Sequence, residues 1–183
     1  MKALKIIGIV ILVIIIIPLI AALFVPKDYG VVKEITIAKP KAEVFDYIKL
    51  LKNQDKFSKW SSMDTAMKRT YTGTDGTVGF ISAWKSEKKD VGSGEQEIMA
   101  IKEGESLDFE VRFKEPFESK GQTYMKVEPV TDSTTLVKWG FKGHMNYPLN
   151  IMLLLIDFDK MLGEDFSTGL TNLKTVLEKP QQQ

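Results

Sequence analysis

Twenty consecutive residues, Ile6 to Val25, carry no charge, and no other stretch of the chain limits its fold as sharply. At about 1.5 Å per helical residue they reach about 30 Å, the thickness of a bilayer's hydrocarbon core. Ile14-Ile15-Ile16-Ile17 is a poor helix former in water, and Gly8 and Pro18 interrupt the run. In lipid the backbone of a lone span must satisfy itself, so helix is the only option. The segment has no polar face, which argues against a helix half-buried in a soluble core. A cleaved signal peptide has a shorter apolar core, about 7–15 residues, ending in a small-x-small site, and Ile20-Ala21-Ala22 fits that poorly. A retained anchor is expected, with residues 6–25 in the membrane and Phe24 and Tyr29 as interface residues. Lys2, Lys5 and the terminal amine precede the span, while Lys27 and Asp28 after it nearly cancel. That bias places the N-terminus in the cytoplasm and the rest of the chain outside it.

Residues 1–27 are therefore read as the anchor, 28–179 as one soluble domain and 180–183 as a polar tail. About 150 residues suffice for a real core. There are 25 basic and 24 acidic side chains, so nothing asks for nucleic acid, which needs a clustered basic surface. The chain has no cysteine and one histidine, His144. Disulfides, thiolate metal sites and a Cys/His nucleophile pair are excluded, and a zinc site lacks ligands. Gly73, Gly76 and Gly79 are not followed by Gly-Lys-Ser/Thr, so they read as hairpin glycines and not as a phosphate loop. No cofactor is expected.

Val31–Ile37 is β-branched and reads as a strand. Pro40 suits the first turn of a helix, and Val44, Phe45 and Ile48 share one face of it. A second short helix carries Leu50, Leu51 and Phe57 and ends near Trp60. Strands follow at 67–72, 78–84, 96–101, 107–113, 123–130 and 134–141, the first two joined by the turn Gly73-Thr74-Asp75-Gly76. Leu107 to Phe113 alternates four apolar with three charged residues, the pattern of an antiparallel strand with one wet face. Leu162, Phe166, Leu170, Leu173 and Leu177 form one apolar helical stripe, and Pro180 ends it. Acidic Asp159, Glu164 and Asp165 come early and Lys174 and Lys179 late, as the helix dipole prefers. A sheet with one dry face needs a cover, and this helix is the available one. The fold class is α+β.

Ile35-Thr36-Ile37, Pro40 and Val44-Phe45-Asp46-Tyr47-Ile48 resemble the opening of the START-like, or SRPBCC, superfamily. Trp60, the spaced glycines before Trp84, Gly92-x-Gly94 and Gly169-Leu170-x-x-Leu173-Lys174 extend the resemblance over residues 30–178. It implies a helix-grip fold: a curved seven-stranded antiparallel sheet around a long C-terminal helix, with two short helices after strand 1. It also implies a cavity between sheet and helix that often holds a lipid or other apolar molecule.

Strand and helix parity then put Trp84, Phe109, Phe113, Met125, Trp139, Phe141, Phe166 and Leu170 inward as cavity-lining residues. They serve equally to fill a solid core. His144 and Tyr147 are candidate polar groups at the cavity mouth, although an ordinary loop histidine fits the sequence as well. Asp108, Glu110 and Arg112 should face solvent, and Glu95 and Glu97 share one strand face. Tyr147–Ile156 is strongly apolar yet too short to span a bilayer. Core packing, a lid and a dip into the membrane all suit it. The expected function is a membrane-anchored, non-catalytic binding domain for a hydrophobic small molecule or lipid. The alternatives are a cyclase or hydratase using His144, Tyr147 or a buried carboxylate, and a protein-interaction module without a ligand.

Overall fold

The computed structural model describes residues 2–116 and 118–179. The expected tail, 180–183, and the helix stop at Pro180 lie outside them. Helix α1 (Lys2–Ala22) is exposed nearly all round and is long and apolar enough to cross a membrane. Strand β1 (Asp28–Ile37) follows, then α2 (Lys41–Lys49), a 3₁₀ turn (Leu51–Lys56) and the short α3 (Lys59–Ser62). Six strands come next: β2 (Lys68–Thr72), β3 (Ile81–Lys85), β4 (Ser93–Lys102), β5 (Ser106–Glu115), β6 (Ser119–Thr131) and β7 (Thr134–His144). After a 3₁₀ turn (Leu149–Leu154) and a π turn (Asp159–Gly163), α4 (Glu164–Glu178) closes the domain.

The strands form one antiparallel sheet in the order β1-β7-β6-β5-β4-β3-β2. Consecutive strands pair as hairpins, and the first strand pairs with the last, from Asp28 opposite His144 to Ile37 opposite Thr135. This is the helix-grip arrangement. The inner face carries Ile37, Leu107, Phe109, Met125, Val127, Val137 and Trp139, all buried. Leu170 and Leu173 of α4 and Val44, Phe45 and Ile48 of α2 pack on them. The alternation of β5 is realised as read, with Leu107, Phe109 and Val111 buried and Phe113 half-buried.

The differences from the sequence reading lie at element ends. β1 starts at Asp28, because β7 runs on to His144 and supplies a partner for each added residue. β3 starts at Ile81, since Gly79 has φ +85° and Val78 points into solvent. The glycine-rich link is a long turn rather than a tight hairpin. The Asp75 carboxylate there accepts from the Leu51 amide at 2.7 Å and the Lys52 amide at 3.2 Å, and so caps the 3₁₀ turn. α4 starts two residues past Leu162. Asp159, before it, accepts instead from Lys33 Nζ at 2.8 Å.

Candidate ligand-binding site between sheet and helix

The inner face holds two aromatic clusters. Trp139 on β7 lies at the centre of the larger, stacked on Phe166 of α4 at 4.9 Å and edge-on to Phe57 at 5.7 Å. Helix and strand approach closely there because position 169 is glycine: a Cβ at Gly169 would sit 2.7 Å from the Trp139 ring. In the smaller cluster, Phe113 receives Trp84 and Trp60 edge-on at 5.8 and 6.0 Å. Gly94 across from Trp84 leaves the space that ring occupies. Thr123 sits between Phe109 and Phe141 in the sheet register and is buried.

This interior contains polar atoms with no protein partner. The indole N–H groups of Trp60, Trp84 and Trp139 and the hydroxyls of Tyr47 and Thr123 are buried and find no hydrogen-bond partner among the described residues. A buried polar group left unpaired costs about 1–3 kcal/mol, and most native interiors avoid it. Three indole donors and two hydroxyls among apolar side chains match the usual composition of a small-molecule site: mostly hydrophobic, with a few polar groups that fix orientation.

All eight residues read from parity lie on the inner side. Phe109, Met125, Trp139, Phe166 and Leu170 meet in the larger cluster, and Trp84 and Phe113 in the smaller. Phe141 lies apart from both, 6.0 Å from Tyr29, which stacks in turn on Phe158 at 4.1 Å. Thr123 and Trp60 were not among the expected lining residues. Thr123 shares the parity of Met125, so the same rule reaches it; a bias toward large apolar side chains hides it.

The two expected mouth groups are placed differently. His144 is the last residue of β7, not a loop residue, and it has the outward parity of Lys142. Its Nδ1 lies 2.6 Å from Asp28 Oδ1 and its Nε2 3.2 Å from Asn146 Oδ1. The Asp28 hydrogen bond raises the imidazole pKa above its ordinary value, with a smaller contribution from Asn146. Both nitrogens lie beside side-chain oxygens, an arrangement that favours the protonated ring. It borders an open groove of about 750 Å³ that also includes Lys120, Tyr124 and Lys142. Tyr147 is exposed.

The outer face carries a network rather than a catalytic pair. Arg112 donates to Glu95 at 2.7 Å, Glu97 at 2.7 Å and Glu110 at 2.6 Å. Hydrogen bonds from Lys114 and then Arg112 hold the Glu95 carboxyl below the usual carboxylate range. Among the described residues no cluster of three His, Asp or Glu side chains suits a metal ion.

A curved antiparallel sheet gripping one long helix, with an aromatic interior and unpaired donors, defines a helix-grip domain of the ligand-binding type. The chain belongs to the family described as polyketide cyclase / dehydrase and lipid transport, whose model matches residues 30–178. Solved structures agree on the fold. A protein from Nitrosospira multiformis is 18% identical, with a TM-score of 0.56 over 82% of this chain and 97% of that one. Truncated norcoclaurine synthase from Thalictrum flavum is 10% identical, with a TM-score of 0.61 over 86% and 98%. Ara h 8.0201 is 16% identical, with a TM-score of 0.56 over 84% and 99%. At such identities the likeness is one of fold alone. No curated protein matches the chain by sequence.

Proposed function

We propose that this chain is a membrane-anchored, non-catalytic binding domain for a lipid or lipid-like molecule held between sheet and α4. The observation that carries the reading is the set of unpaired donors, Trp60, Trp84 and Trp139 Nε1 with Thr123 Oγ1, inside an apolar aromatic interior. A ligand with an apolar body and one or two oxygen acceptors satisfies them and adds apolar burial at about 25 cal/mol per Å². The family description, which includes lipid transport, supports the same class. The sole histidine points away from this interior and both of its nitrogens are engaged, which favours binding over acid–base chemistry. Residues 6–25 act as the tether, with the N-terminus in the cytoplasm and the domain on the opposite side.

Phe113→Asp tests the site. Phe113 is half-buried at the edge of the smaller cluster, so a carboxylate there reaches water at modest cost to folding while placing charge at the wall of the apolar site. The full chain is purified in detergent, and its solvent extract is compared with that of the variant by lipid mass spectrometry. The expected result is loss of the co-purifying apolar species with unchanged circular dichroism. Equal retention in a folded variant contradicts the assignment.

A further inference from the structure

The stretch from Met145 to Ile156 contains no charged residue. Most of it lies at the surface. Its 3₁₀ turn packs against the C-terminal end of α1, with Leu149, Met152 and Leu154 exposed and Ile151 and Leu153 half-buried. Asn150, alone among the residues of the turn, is fully buried. Its Nδ2 donates to the carbonyl oxygens of Ala22 at 2.7 Å and Val25 at 2.8 Å. Ala22 is the last residue of α1, where a helix leaves its carbonyls without partners, and Val25 lies three residues beyond it. The Met145 amide adds a bond to the Lys27 carbonyl at 2.8 Å. The turn is therefore fastened at the level where α1 ends. Around that fastening Leu149 and Leu154 are each 65% exposed and Leu155 is 82% exposed. Leu23 and Phe24, at the end of α1 itself, are 67% and 82% exposed.

We propose that residues 147–156 are a second membrane contact, an interfacial wedge seated in the leaflet from which α1 emerges. The inference rests on α1 being a membrane span. A bilayer is the occupant that fits, because the apolar surface of the wedge continues that of the anchor and is tied to it by Asn150. Any surface beside the final residues of a membrane span lies at the headgroup–acyl boundary. A six-residue 3₁₀ turn, at about 2 Å per residue, has the size of an interfacial element and not of a span. Charged side chains are absent from the wedge, as burial among acyl chains requires. The consequence is orientation. Phe158 follows the wedge and stacks on Tyr29, which neighbours Phe141, so the α4 N-terminal end of the sheet–helix interior is held down on the lipid. An apolar ligand then moves between bilayer and interior without crossing water.

The test uses the absence of cysteine from the chain. Three single variants of the full chain, L155C, I14C and D132C, are labelled with an environment-sensitive nitrobenzoxadiazole dye and reconstituted into phosphatidylcholine vesicles. Doxyl lipids spin-labelled near the headgroup or deep in the chain serve as quenchers. L155C is expected to emit at shorter wavelength than D132C and to be quenched most by the shallow label. I14C is expected to be quenched most by the deep label. D132C, on the β6–β7 turn at the other end of β7, is expected to be quenched by neither. Leu155 is 82% exposed, so its replacement leaves the fold intact. A quenched I14C beside an unquenched L155C overturns the wedge and leaves the anchor standing. An unquenched I14C overturns the anchor, and the wedge with it.

Discussion

Thr123 brings a hydroxyl into an interior where its cross-strand neighbours are Phe109 and Phe141, and none of the described residues bonds to it. If its role is to meet a ligand, the apo protein bears the cost of its burial. Thr123→Val keeps the shape and removes the unpaired group. It should raise the apo unfolding free energy by about 1 kcal/mol and weaken ligand retention. Denaturant titration and lipid extraction of the same preparations check both halves. Destabilisation on removing the hydroxyl contradicts the role. At the outer end of β7, His144 gives a pH prediction. Its folded pKa is raised chiefly by Asp28, so the stability it contributes is complete below the imidazole's ordinary value and is lost as pH rises through the folded one. An NMR titration of the single imidazole should show a midpoint above that ordinary value, and Asp28→Asn should bring it down. Ligand retention should not follow this titration, because the ring faces away from the interior.

Among the elements, α4 and β7 meet at a contact that makes opposing demands on one residue. Gly169 lies in a helix interior, where alanine is better by about 1 kcal/mol. A Cβ there would lie 2.7 Å from Trp139 Cζ3 and 3.5 Å from the Phe57 carbonyl oxygen. Forcing a methyl into a packed contact costs about 1–3 kcal/mol, so the steric effect wins. Gly169→Ala should therefore lower the melting temperature, the reverse of what helix propensity predicts, and a rise would mean that Trp139 is loosely held. The stripe on α4 and the alternation in β5 were legible in sequence because each is a local period facing one buried surface. Three features were not. The pairing of β1 with β7 joins residues about a hundred positions apart, and no local pattern carries it. The end of β7 hides in Lys142-Gly143-His144, residues that read as a loop until Asp28, Tyr29 and Gly30 pair with them. Asn150 is a lone amide in an apolar run. Its signal was present, since a polar residue in such a place needs a backbone partner, but which carbonyls it caps depends on where α1 ends.

At the scale of the molecule, the end of the anchor is fastened to the 149–154 turn, and the chain leads from that turn into the gripped helix. Residue types and strand parity were enough to place the large apolar side chains on the inner side of the sheet and helix. They did not reveal the unpaired indole and hydroxyl groups within that interior, because hydrogen-bond partnership is a property of the assembled layers. The claim that matters most is that this interior holds an apolar molecule. Native mass spectrometry of the full chain, released from detergent or from a nanodisc of the host membrane's lipids, tests it directly. Wild type is expected to carry a stoichiometric adduct that is lost in Phe113→Asp and reduced in Thr123→Val. A bare polypeptide mass for the folded wild type, unchanged after incubation with extracted membrane lipids, would contradict it.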